Sequence, residues 1–199
     1  EGSISALNYA NKLNGFVMAL FITSVGAVIY PMLSKLSSED NKEKFISSVV
    51  QSINSVILLV IPISIGAIVL ATPIVKLLFQ RGEFDARATS MTAIALIMYS
   101  IGMVAFGLRD IIGKVFYALK DTKTPMINGA IAMIMNIVLN IILVKYLQLA
   151  GLALATSISA IVCIFLLFGS LKKKIGYFGQ DKIIKTTIKS IVAAVVMGI

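Results

Sequence analysis

Arg109, Asp110 and Lys114 stand inside a stretch, about Ala88–Leu119, that is otherwise largely apolar. A charge in hydrocarbon costs roughly 2.5–3.5 kcal/mol on insertion scales, so each of the three must find a partner or water. Asp110 and Lys114 are four apart with the acid first, the better order for an ion pair on one helix face. Arg109 lies about 100° round the helix from Asp110 and has no evident partner there. It either snorkels to the headgroups or lines an aqueous cavity. Asn136 and Asn140 share a face in the middle of another apolar stretch, and Thr156 and Ser157 stand in the one after it. Converging amide and hydroxyl oxygens suit a small hard cation such as sodium, or simple hydrogen bonding between helices. Other chemistry is scarce. The chain has no His, and its one Cys, Cys163, lies in an apolar run, which excludes metal-ligand clusters, disulfides and Cys–His nucleophiles within it. Glycine-rich phosphate loops, intramembrane carboxylate pairs and a Ser beside a base are absent too. Nothing in it reads as an enzyme.

The elements that position these residues are membrane helices. Hydrophobic residues make up 58% of the 199 and charged residues 14%, against about 45–50% and about 25% in soluble domains. Several apolar runs approach the roughly 20 residues that cross a bilayer as a helix. The expected fold is an all-α integral membrane protein, a polytopic bundle of five complete transmembrane helices plus the start of a sixth. The helices are expected at about Ala6–Leu36, Phe45–Ala71, Ala88–Leu119, Met126–Leu147 and Gly151–Leu171, with the sixth in the apolar Ile183–Ile199 after a basic segment, Lys172–Lys189. Ser37, Ser38 and Asp40 offer caps for the second helix. Pro62 predicts a kink there, with Ser64 answering the freed carbonyl. Thr72 and Pro73 suit the cap and first position of a short segment, Ile74–Phe79, too short to cross and expected at the membrane surface. Gly151, Ala155 and Ser159 make a row of small residues suited to packing. The start at Glu1 and the unflanked apolar end read as a fragment of a longer protein.

Eighteen Lys and Arg against nine Asp and Glu give +9. The lysines cluster between apolar runs, as in loops facing anionic lipid, and not as a nucleic-acid surface. Alternate loops on one side hold Lys35, Lys42, Lys44, Lys114, Lys120, Lys123, Lys172, Lys173, Lys174, Lys182, Lys185 and Lys189. The other side holds Lys12, Lys76, Arg81, Arg87 and Lys145. Twelve against five puts the first set in the cytoplasm, so the first helix descends from outside to inside.

Four strings then carry a resemblance. They are Asn8-Tyr9-Ala10-Asn11-Lys12-Leu13 with Gly26 and Pro31-x-Leu33-Ser34 behind it; Pro73 to Phe84, containing Phe79-Gln80-Arg81-Gly82-Glu83-Phe84; Phe116 to Pro125, containing Asp121-Thr122-Lys123-Thr124-Pro125; and Ala150 to Ser157. In order and spacing they resemble the MurJ (MviN) family of lipid II flippases, within the multidrug/oligosaccharidyl-lipid/polysaccharide exporter superfamily. The resemblance implies helices eight to twelve of a fourteen-helix protein. Residues 1–171 would be the transmembrane helices of the second, C-terminal six-helix lobe, and residues 172–199 a basic cytoplasmic segment with the start of the following helix. It implies two lobes around a cationic cavity that takes the pyrophosphate and sugars of lipid II, while the undecaprenyl tail stays in lipid, with access alternating as the lobes rock. The cavity arginine of the eighth helix falls on Lys12, which keeps the charge and loses the bidentate fork; Lys12 and Arg109 are thus the candidate cavity cations. No cofactor is implied beyond sodium or membrane-potential coupling. The place implied is the bacterial cytoplasmic membrane, in peptidoglycan and cell-wall biogenesis, with membrane lipids as partners. An exporter of another lipid-linked polysaccharide precursor, or a spore-envelope paralogue, is the alternative.

Overall fold

A computed structural model describes residues 3–39, 41–82 and 84–198, so Asp40, one of the expected caps, and Glu83 lie outside the described residues. Every described element is a helix. α1 (Ser3–Val17) runs through a π-helical turn, Met18–Thr23, into α2 (Ser24–Ser38). The first span is therefore continuous but locally widened, and the Thr23 and Ser24 hydroxyls donate to the carbonyls of Met18 and Leu20 at that turn. After it come α3 (Lys42–Val69), α4 (Ala71–Phe79), α5 (Ala86–Ala118), α6 (Lys123–Ile175) and α7 (Gln180–Gly198). Helices of this length and composition at Ile4–Ser38, Lys42–Val69, Ala86–Ala118 and Lys123–Ile175 are able to cross a membrane.

The 53 residues of α6 would reach about 80 Å if straight, far more than a bilayer core. They do not run straight. Gln148 takes a non-helical conformation (φ 48°, ψ −122°), and the chain folds back on itself there. Asn128 donates to the Ser170 hydroxyl at 3.1 Å, 42 residues away, so residues 123–147 and 149–175 are antiparallel arms. A side chain at Gly151 would collide with the backbone of Leu143, which is why the reversal needs glycine there. The arms are the fourth and fifth spans.

α5 is the central post, packed against α1, α2, α3, α4 and α6. Leu33, Val49, Ile53, Val56, Ile111, Ile112, Val115, Phe116, Leu167 and Leu171 form the core around it, each 0% exposed or nearly so. Where α5 meets the second arm of α6, a Cβ on Gly102 would stand 2.6 Å from Ser157 Cα. Ser157 in turn donates to the Met98 carbonyl at 2.6 Å.

The quoted strings turn out to be joints. Tyr9 packs its ring against Phe79 and Phe84, with centroids 4.8 and 5.4 Å apart, tying α1 to the α4–α5 turn. Asp121 accepts from the Thr124 backbone N–H and hydroxyl, and from Lys174 at the far end of α6. Those hydrogen bonds, the one from Lys174 first, hold its carboxyl at about 2, below the ordinary 3.8.

Several local expectations are corrected. Ser64 does not answer the carbonyl freed by Pro62; it donates to Ser100 on α5 at 2.5 Å, because that helix lies against it. α4 starts at Ala71, directly after Leu70 and without a side-chain cap, so Pro73 is the third helical position and Thr72 caps nothing. Proline tolerates this, since the first turn's N–H groups have no intrahelical partner. Asn41 caps α3, accepting from Lys44 N–H, and Asp85 caps α5 through Ala88 N–H. The basic segment is not separate: Lys172–Lys174 end α6, and Lys182, Lys185 and Lys189 ride on α7.

Candidate functional site

α1, its π turn and α5 leave a groove of about 370 Å3 between them, closed at one side by Thr156 of α6. Asn11, Asn14, Gly15, Met18, Ile22 and Thr23 form one wall, and Tyr99, Phe106, Arg109 and Asp110 the other. The two walls are in register. Ile22 packs against α5 at Gly107, where a side chain would meet it at 3.0 Å. Counting eight residues back along each helix sets Asn14 level with Tyr99, about 12 Å nearer the N-terminal ends of α1 and α5.

Arg109 is exposed, its guanidinium 5.8 Å from the ring centroid of Phe106. Among the described residues no carboxylate stands within ion-pair distance of it. Asp110 accepts from Lys114 instead. Lys114 lies across Gly26 of α2, whose missing side chain makes room for the ammonium. The inner end of the groove thus has one neutralised pair and one cation open to a ligand.

Asn136, Asn140 and Thr156 come together. Asn140 donates to Asn136 Oδ1 at 3.0 Å, Asn136 donates to Thr156 Oγ at 3.4 Å, and Thr156 donates to the Leu152 carbonyl at 3.0 Å. The chain of bonds links the two arms of α6 and leaves Asn140 Oδ1 buried without a partner. Ser157 belongs to the α5 contact and not to this cluster. Lys12 is exposed and lies over the ring of Tyr9, 5.5 Å from its centroid, beside the groove's outer end and outside its wall. The structure therefore joins Arg109 to the groove and keeps Lys12 apart from it.

Asn14 is the residue that sequence reasoning passed over. It is 6% exposed, it lines the groove, and its Oδ1 has no hydrogen-bond partner. Its signal was there: one amide, three residues after Asn11, at the head of an apolar run.

A family model described as Lipid II flippase MurJ matches residues 1–199. A protein of Vibrio cholerae described as a probable lipid II flippase MurJ is 38% identical over 85% of this chain and 32% of its own length. The corresponding protein of Haemophilus influenzae is 32% identical over 99% and 40%. A solved structure, "Lipid II flippase MurJ, inward closed conformation", superposes with a TM-score of 0.85 at 33% identity, over 98% of this chain and 41% of that one. The chain thus spans about a third of the length of the curated relatives it matches. Its helices make it a multi-pass protein of the bacterial cytoplasmic membrane. With the family model matched from end to end and the fold shared at this level of identity, the chain belongs to the lipid II flippase MurJ family.

Proposed function

We propose that the protein containing this chain carries lipid II across the cytoplasmic membrane by alternating access, and that residues 1–171 supply helices of its second lobe. The observation that carries this reading is Arg109, an exposed cation without a carboxylate partner among the described residues, lining a groove that also holds Asn11, Asn14 and Thr156. A pyrophosphate leaving water costs several kcal/mol unless cations meet it. The planar guanidinium fork matches phosphate oxygens, and Phe106 beneath it limits its rotamers. Lys12 stands about 18 Å farther out along the helices and offers charge without the fork. One cation inside the groove and another outside its wall, beyond the neutral end, suit a substrate whose phosphates must leave one face and reach the other. The tail stays in lipid, and the work is binding and release with no bond made or broken.

Growth of cells depleted of their own lipid II flippase tests this, with the full-length parent protein as the rescuing copy. Arg109→Ala should fail and Arg109→Lys should rescue in part. Lys12→Gln should fail and Lys12→Arg should rescue. Equal rescue by the neutral variants, at equal membrane abundance, would remove these cations from the substrate path.

Coupling to sodium is a second reading, favoured by the unpartnered Asn140 Oδ1. The cluster holds amide and hydroxyl oxygens and no carboxylate, which fits a monovalent ion better than a divalent one. Sodium should raise the melting temperature of the full-length protein, and Asn140→Leu should abolish that rise. A rise of the same size in the variant would return the cluster to packing.

A further inference from the structure

The groove has two chemically different ends. Its inner end carries charge: Arg109, with Asp110 beside it. Its other end, level with Tyr99 about 15 Å farther along α5, is lined by neutral residues: Asn11, Asn14, Tyr99 and Thr156. Lys12 is next to Asn11 in sequence but turns to Tyr9 and leaves this end uncharged.

At the neutral end Asn14 stands out. It is 94% buried, from its 6% exposure, yet its carbonyl oxygen accepts from nothing. Buried amide oxygens are nearly always paired, because burial strips their water and an empty acceptor recovers none of that loss. Thr156 has already committed its hydroxyl proton to Leu152. Asn14 Oδ1 is left free to accept from a donor that enters the groove.

We propose that Asn14 is a specificity residue for the sugar part of the substrate, accepting a hydrogen bond from a sugar hydroxyl or acetamido N–H. The inference rests on the lipid II reading above and adds an orientation to it. A lipid-anchored head group entering from the cytoplasm keeps its phosphates nearest the membrane surface, at Arg109. Its neutral sugars then extend along the groove toward mid-membrane, where Asn14 and Tyr99 lie at one level. The aromatic face of Tyr99 supplies an apolar surface for a ring, and the amides supply direction. A groove of about 370 Å3 has room for a sugar and its phosphates.

The test is ligand-selective binding to the purified full-length protein. Two probes are compared, lipid II and undecaprenyl pyrophosphate bearing no sugar, against a phosphatidylglycerol background. Asn14→Ala should weaken lipid II binding about tenfold and leave the sugar-free lipid unchanged. Asn14→Leu, which keeps the volume, should do the same, and Asn14→Asp, which keeps the acceptor, should restore most of the affinity. Melting temperature identifies any variant that has lost its fold, and the selectivity is then read from the other. Equal loss for both lipids, or unchanged lipid II affinity in either neutral variant, would overturn the role of Asn14. Wild-type protein that binds neither lipid above background would instead overturn the lipid II reading, and the inference with it.

Discussion

Along the first arm of α6 the exposed residues include Met126, Ile127, Ile131, Met133, Ile134, Ile137, Val138, Ile141 and Ile142. Along the inner half of α5 they are Arg109, Asp110 and Tyr117. Both surfaces lie at membrane depth, yet one offers nothing to water and the other little to lipid. Lipid tails satisfy no hydrogen bonds, so a helix face in hydrocarbon must be apolar. A face that keeps an arginine there must look onto water or onto another part of the protein. Exposure alone does not separate the two; the residue types do.

The strongest way to break the comparison is to give α6 what α5 has. Ile134 is 60% exposed and sits near the middle of its arm. Ile134→Arg should cost about 2.5–3.5 kcal/mol of apparent insertion free energy. It should also lower the membrane abundance of the full-length protein, whereas Arg109→Leu should insert at least as well as wild type. The reading comes from a translocon insertion assay with each span as the guest. If the full-length Ile134→Arg protein reaches wild-type membrane abundance despite the poorer insertion of its span, that face of α6 borders water and the contrast between the two surfaces fails.

The spans that hold these surfaces were legible because hydropathy is additive over some 20 residues and survives any single misreading. Finer features were less visible. The hairpin in α6 is a tighter reversal than residues 148–150 suggested, since one residue, Gln148, carries the non-helical turn. The π turn at Met18–Thr23 has no composition of its own. The partner of Ser64 is not legible, because the sequence shows the proline beside it and not the helix opposite. In the groove, Arg109 was legible because an arginine in an apolar run is costly. Asn14 was not, because one amide in such a run has an inexpensive packing explanation until its burial and missing partner are seen.

A moderate effect sharpens the comparison at the seam between the two regions. Gly102 lets α5 approach Ser157 so closely that a methyl group has no room against backbone. Gly102→Ala should cost about 1–3 kcal/mol, the usual range for overpacking, read as a lower melting temperature in detergent. Gly113, on the same helix and also buried, has open space where its Cβ would stand. Gly113→Ala should therefore hold or raise the melting temperature through its better helix propensity, about 0.8–1 kcal/mol. Equal losses in the two variants would show that backbone conformation, and not the close approach, decides the cost.

The smallest effect concerns the loop that sets how α6 is turned relative to α5. Asp121 caps the start of α6 through Thr124 and holds Lys174 at its end, so one carboxylate ties the two arms together at their far ends. Its folded-state value of about 2 lies below the ordinary 3.8. A carboxyl with a depressed value stabilises the fold in full above its unfolded value, and that contribution is lost as pH falls toward the folded one. At neutral pH the contribution is whole. Asp121→Asn keeps an oxygen for the Thr124 N–H and loses the ion pair, which at this partly exposed site should cost no more than about 1 kcal/mol. The melting temperatures of wild type and Asp121→Asn should differ at pH 7, be unchanged in their difference down to about pH 4, and converge as pH approaches 2. Lys174→Gln should reproduce the pH 7 loss without adding to it in the double variant, since both changes remove the same contact. A constant gap from pH 7 to pH 2 would mean that the carboxylate charge contributes nothing and that the loop is held by its backbone capping alone.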